Sequence, residues 1–230
     1  ALVPANDFLI QLLDKFGLIA WASDDLTACS SEDVMPRQII TLAEELLTLL
    51  IYVLSERYDV GIGNVTRKDA VKREVIHQLC VQPMAHSELA KALPEDPNHE
   101  TGVEDVVHEV AVFKKPSGSE GKGMYELRPE CYGMYNPYFY HYSRADQSKS
   151  EEAQRKRKQA ANEDQALPPP VPPPFLEKFA NIVNLLHCDV MIHLLNLILK
   201  RTESSQSSYW SELQFEKVLH IIGIALHEER

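Results

Sequence analysis

TGVEDVVHEVAVFKKPSGSEGKGMYELRP, Thr101 to Pro129, is the stretch on which the fold of this 230-residue chain turns. Val103, Val106, Val107 and Val110 recur at the spacing of one helical face, and Glu104, Asp105, His108 and Glu109 fall on the other. Thr101 and Glu104 stand where a capping box would place them, with Gly102 between. Two strand-like runs follow, VAVFKK and GMYELRP. PSGSEGKG joins them, with Gly118, Gly121 and Gly123, and is long enough to read as a wing rather than a tight turn.

Upstream, TRKDAVKREVIHQLCVQ puts Val71, Val75, Ile76 and Leu79 on one helix face, and Pro83 ends it. HSELAKAL reads as a short helix with His86 or Ser87 as its cap and Pro94 as its stop. Helix, short helix, capped helix, hairpin is the winged-helix order. The predicted fold class is therefore mainly α: a winged-helix domain, three helices plus a β-hairpin wing, embedded between helical scaffold segments.

The flanks fill in that plan. Residues 1–62 are expected to be helical scaffold. DFLIQLLDKFGLIAWA carries Phe8, Leu9, Leu12, Leu13 and Phe16 at helical spacing, and a second helix starts at Pro36 and runs to about Tyr58. That helix is the most apolar part of the chain. Glu44 and Glu45 near its middle favour a buried protein helix over a membrane span. Residues 63–142 are expected to form the winged-helix domain, and 143–174 a charged helix and polyproline linker. Tyr132 to Tyr142 is crowded with aromatic rings, which either pack this segment onto the winged helix or stack nucleobases. In SRADQSKSEEAQRKRKQAANED, Glu151 with Arg155 and Glu152 with Lys156 are favourable i, i+4 pairs on a solvated helix. Its Arg155–Lys158 run is also a possible nuclear-localisation or phosphate-binding patch. Pro168 to Pro174 must be polyproline II, a stiff spacer or a ligand for an aromatic groove. Residues 175–230 are read as scaffold again. One long helix should carry Phe179, Ile182, Val183, Leu186 and Val190 in a stripe, and a last helix should open on a capping box of Ser211 and Gln214.

Net charge is −11, so the chain as a whole repels phosphate backbones and anionic membranes. Cys29, Cys80, Cys131 and Cys188 are too far apart for a zinc-ribbon pair or a CxxC redox motif, and read as free, mostly buried thiols of a reducing compartment. His187 and His193 lack a third ligand partner. No phosphate-cradling GxxxxGK, dinucleotide GxGxxG or zinc-hydrolase His pair around a Glu occurs. SGSEG has the wrong spacing for a nucleophile elbow. His77 and Cys80 share a helix, but Cys80 belongs to the apolar side, where a thiol is inert. No catalytic, cofactor-binding or metal-binding residue is assigned. The chain opens at Ala1 and ends on ALHEER while still helical, so a piece of a longer protein is expected.

KREVIHQLCVQPMAHSELAKALPEDPNHETGVEDVVHEVAVFKKP resembles the segment upstream of the RING finger in the large UBR-type N-recognin ubiquitin ligases. The likeness continues through GKGMYELRPECYGMYNPYFYHYSRADQSKSEEAQRKRKQ and DQALPPPVPPPF, covering roughly Val71 to His227. The resemblance implies a parent that binds proteins bearing destabilising N-termini and passes ubiquitin to them from a ubiquitin-conjugating enzyme. The zinc-binding UBR box and RING are absent from this chain, so zinc is expected only in the parent. The expected partners are other domains of the same ligase and, through the parent, the conjugating enzyme and N-degron substrates. The expected location is the cytoplasm, with the nucleus as a second site.

The acids of the third helix then acquire a meaning. A DNA-reading winged helix presents basic or amide side chains there. Glu104, Asp105, His108 and Glu109 instead form a candidate protein-interaction face, with Lys114, Lys115, Lys122 and Arg128 as a candidate basic rim. The alternative is a nucleic-acid-binding winged helix using the wing and the basic run. An enzyme with a site split between the halves is a third reading.

Overall fold

The computed structural model describes residues 3–23, 35–94, 102–115, 122–203 and 209–229. Thr101, Gly118, Gly121 and Cys29, to which the sequence reading assigned a cap, two turn positions and a thiol, lie outside them. In chain order the elements are α1 Ala5–Lys15, α2 Pro36–Ser55, α3 Arg67–Val81, α4 His86–Ala92 and α5 Val103–Val110. Strands β1 Ala111–Lys114 and β2 Met124–Leu127 follow, then α6 Arg144–Ala160, α7 Asn184–His187, α8 Asp189–Glu203 and α9 Glu212–Glu228. The chain divides into two compact units. One joins 1–56 to 177–230, and the other is Arg57–Leu176.

The second unit has the winged-helix order the sequence predicts. Thr66 caps α3 by accepting from the Asp69 amide, and Asp69 answers by accepting from the Thr66 amide, a complete capping box. Helix α4 is capped by neither His86 nor Ser87. Its N-cap is Ala85, whose amide donates to Glu88, so only the carboxylate half of a capping box is present. Helix α5 enters through Gly102 at φ 67°, a left-handed conformation that glycine adopts without penalty. All four valines of α5 are buried against Val75, Ile76, Leu79, Leu89 and Leu127. β1 pairs antiparallel with β2 in the register Ala111↔Leu127 to Lys114↔Met124, and Met84 bridges the other edge of β2 at Tyr125.

The aromatic run packs inward. Tyr135, Tyr138 and Phe139 are buried, and the Phe139 ring stacks on His77 at 4.1 Å. Helix α6 is solvated on its outer face only. Ser150 and Gln154 are buried, Tyr135 Oη meets Ser150, and Gln154 donates to the Cys80 carbonyl. A charged sequence thus hides a polar stripe that satisfies its own hydrogen bonds against α3.

The polyproline run is not a free spacer. It returns to the start of the same unit, where the Asn64 amide donates to the Pro174 carbonyl and the Leu176 amide to that of Ile62. Arg57, 1 % exposed, donates to the Pro173 carbonyl and lies 3.9 Å from the centre of the Phe175 ring. Gly63 sits inside this staple, and a Cβ there would stand 1.8 Å from the Arg57 carbonyl oxygen. Gly63→Ala is expected to destabilise the unit by about 2 kcal/mol. Gly133→Ala, with nothing within 4 Å of its Cβ, is expected to leave the urea midpoint in place. Equal midpoints for the two variants would show that the staple does not hold this turn.

In the first unit α2 packs on α9, α9 on α8, and α8 on α1. Helix α2 is apolar enough to cross a bilayer, but its Leu46, Leu47, Leu50, Ile51 and Leu54 are buried within this unit. The expected long helix after Phe175 is three pieces: a 3-10 segment Glu177–Val183, α7 and α8. The chain breaks at Cys188, whose backbone is extended, and the Asn6 side chain accepts from the Val190 amide in the first turn of α8. Of the expected stripe only Leu186 is buried. Leu185, Met191, Leu194, Leu197 and Ile198 supply the core instead. Ser211 caps α9, but Gln214 turns inward to the Ile40 carbonyl rather than closing a box.

Candidate functional site: the outer face of the third winged-helix helix

Helix α5 is eight residues long, and its valines fix its rotation. With Val103, Val106, Val107 and Val110 inward, Glu104, Asp105, His108 and Glu109 all point to solvent. The structure therefore brings the four together on one surface.

Their partners come from α3 and α4, and from Arg128 of the expected rim. Glu109 is held by two lysines of α3: Lys68 donates a hydrogen bond to it, and the Lys72 ammonium is 3.6 Å away. The Lys68 hydrogen bond and charge keep the Glu109 carboxyl below the usual carboxylate range, and Glu109 in turn raises Lys68. Both groups are exposed, so the pair adds little to stability. Glu104 lies 3.5 Å from the imidazole Nε2 of His86, on α4. The carbonyl of His108 accepts from the Arg128 guanidinium at 3.1 Å, and the His108 ring meets Tyr125 edge-on at 6.1 Å.

Arg128 is thus a strut between the wing and α5. Its amide also donates to the Val110 carbonyl. Lys114 reaches across the hairpin to Glu126, 3.7 Å away. Lys115 and Lys122 are exposed at the two stems of the wing. The residues that sequence reasoning missed are Lys68, Lys72 and His86. The lysines sit one turn apart on the polar side of α3, a visible i, i+4 pair, but nothing local says that α5 crosses there.

The site is a charged surface. Among the described residues, no three His, Cys, Asp or Glu side chains come together as a metal site. Cys80 and Cys131 are free thiols whose pKa values are pushed up by burial. His77 is fully buried. Its Nδ1 pairs with the Arg73 carbonyl and its Nε2 accepts from the Asn136 amide, so both ring nitrogens are occupied by backbone.

Three helices and a two-stranded wing, with an acidic outward face on the third helix, define a winged-helix domain. Residues 70–169 match the family described as E3 ubiquitin-protein ligase UBR1-like, winged-helix domain. The chain is 49 % identical over 235 residues to E3 ubiquitin-protein ligase UBR2 of Mus musculus, covering 100 % of this chain and 13 % of that relative. It is 44 % identical over 230 residues to UBR1 of Homo sapiens, with the same shares covered. To PRT6 of Arabidopsis thaliana it is 30 % identical over 152 residues, 66 % of this chain and 7 % of that protein. The chain belongs to the UBR-type N-recognin family of E3 ubiquitin-protein ligases, as a segment spanning about 13 % of the length of its animal relatives.

Proposed function

We propose that this chain is a non-catalytic winged-helix and scaffold segment of an N-degron-recognising ubiquitin ligase. It would hold the substrate-binding and RING modules of its parent in place and meet protein partners through the outer face of α5. The proposed partners are other domains of the same ligase and, through the parent, the ubiquitin-conjugating enzyme and N-degron substrates. Zinc is proposed for the parent's UBR box and RING and not for this segment, and the cytoplasm, with the nucleus second, as the place of action.

The observation that carries the reading is the face itself. Glu104 and Asp105 stand where a groove-reading helix presents donors to base edges, and each repels a phosphate. The basic run of α6 does not compensate. Lys156 pairs with Glu152, Arg157 meets Glu163 and stacks on Tyr132, and Lys158 donates to the Asp164 carbonyl.

Glu104→Lys combined with Asp105→Lys tests the reading in the full-length ligase. Both positions are exposed in the first turn of α5, so a loss of about 1–2 kcal/mol without unfolding is expected. Cross-linking from α5 to its protein neighbour, and ubiquitin transfer to an N-degron substrate, are expected to fall about tenfold. Duplex DNA titrated against the unaltered chain should bind only weakly. Tight binding with a steep salt slope, lost on neutralising Arg155 to Lys158, would hand the surface to nucleic acid.

A further inference from the structure

Helix α9 is apolar on two opposite sides, and the first unit uses only one. Val218, Ile221 and Ile224 are completely buried. Phe215, Leu219, Ile222 and Leu226 recur at i, i+4, i+7 and i+11 on the other side, a straight ridge about 16 Å long. Leu219 is 49 % and Leu226 54 % exposed, while Phe215 and Ile222 are half-buried. Contiguous apolar surface of this kind marks interaction sites.

We propose that this ridge is the docking seam for another helix of the same polypeptide, one with apolar residues at matching spacing and Lys or Arg on either side. The proposal rests on the reading of the chain as part of a larger ligase, and on two observations. The family members it matches carry most of their length outside the matched region, so covering elements are available in the same chain. The ridge is also bounded by exposed acids, Glu212 at one end and Glu229 at the other. Two copies of the ridge laid together, in either direction, would set acid against acid, whereas a helix with basic flanks meets them favourably. Seated at the usual 8–10 Å between helix axes, such a helix would place its side chains between those of the ridge.

Hydroxyl-radical footprinting of the full-length ligase and of the 230-residue chain, read by mass spectrometry at the ridge residues, tests this. Going from half-exposed to buried cuts accessible area about fivefold, and oxidation of Leu219 and Leu226 is expected to fall by that factor in the full-length protein. Leu219→Glu with Leu226→Glu is expected to restore oxidation at Phe215 and Ile222 there, while leaving the melting point of the shorter chain in place. Equal oxidation in the two proteins would overturn the proposal. So would protection that appears in the shorter chain as its concentration rises, since that assigns the ridge to contact between copies. Protection of the ridge alongside unchanged behaviour of the α5 lysine variant would remove only the role given to α5.

Discussion

Val107→Asp is expected to unfold the 57–176 unit at neutral pH. Val107 is 1 % exposed and belongs to the row through which α5 packs on α3, with Val103, Val106 and Val110 beside it. The substitution removes a branched apolar side chain and puts a carboxylate among aliphatic side chains. An uncompensated buried charge costs about 3–5 kcal/mol, and the lost packing adds to that. A domain of this size has only about 5–15 kcal/mol of stability in hand. Most tyrosines lie in this unit, and both tryptophans, Trp21 and Trp210, lie in the other. The tyrosine signal in near-ultraviolet circular dichroism should therefore collapse or shift to much lower urea, while tryptophan fluorescence reports on the first unit separately. Val112→Asp is the control. Val112 is 39 % exposed on β1 opposite Glu126, and the same change there should cost only about 1 kcal/mol, from lost strand propensity and like-charge repulsion. A Val107→Asp protein that unfolds like the unaltered chain would mean that α5 packs by its charged face.

That prediction is legible in the sequence alone, because the α5 valines and acids separate cleanly at a helical period. Where information was local, as with the valine stripe, the hairpin runs and Ser211 as a cap, reading and structure agree. Elsewhere the deciding partner is distant. Arg57 finds the Pro173 carbonyl 116 residues away, and nothing in PPPVPPP says that the run folds back. The break at Cys188 contains neither Gly nor Pro. It is made by Asn6, 184 residues away from the amide it caps, and an apolar sequence with two usable faces cannot distinguish one helix from two. The site divides in the same way. The four outward residues of α5 are visible in its pattern. The lysines that hold Glu109 and the carbonyl that takes up Arg128 depend on how α3, α5 and the wing cross.

Acidification should weaken both units through one buried histidine each. His77 is completely buried, and burial together with the neighbouring Arg73 guanidinium lowers its pKa from 6.5 to about 3. The neutral ring is locked in place, Nδ1 on the Arg73 carbonyl and Nε2 on the Asn136 amide, so protonation would cost the second of these bonds. In the first unit burial lowers His220 to about 3 as well. The unfolded chain can take up these protons near pH 6.5 and the folded chain cannot, so each histidine's contribution is whole above pH 6.5. It declines as pH falls from 6.5 towards 3, by about 2 kcal/mol at pH 5 and about 5 kcal/mol once the window is crossed. Urea midpoints for the tyrosine and tryptophan signals should both fall between pH 7 and pH 5. His77→Gln, which retains an amide donor and acceptor but cannot charge, is expected to be less stable at pH 7 because it loses the stack on Phe139. Its tyrosine midpoint should nonetheless lose its His77-dependent slope between pH 7 and pH 5, while the tryptophan midpoint keeps its own. A tyrosine midpoint that stays flat in the unaltered chain over this range would show that water reaches the His77 ring.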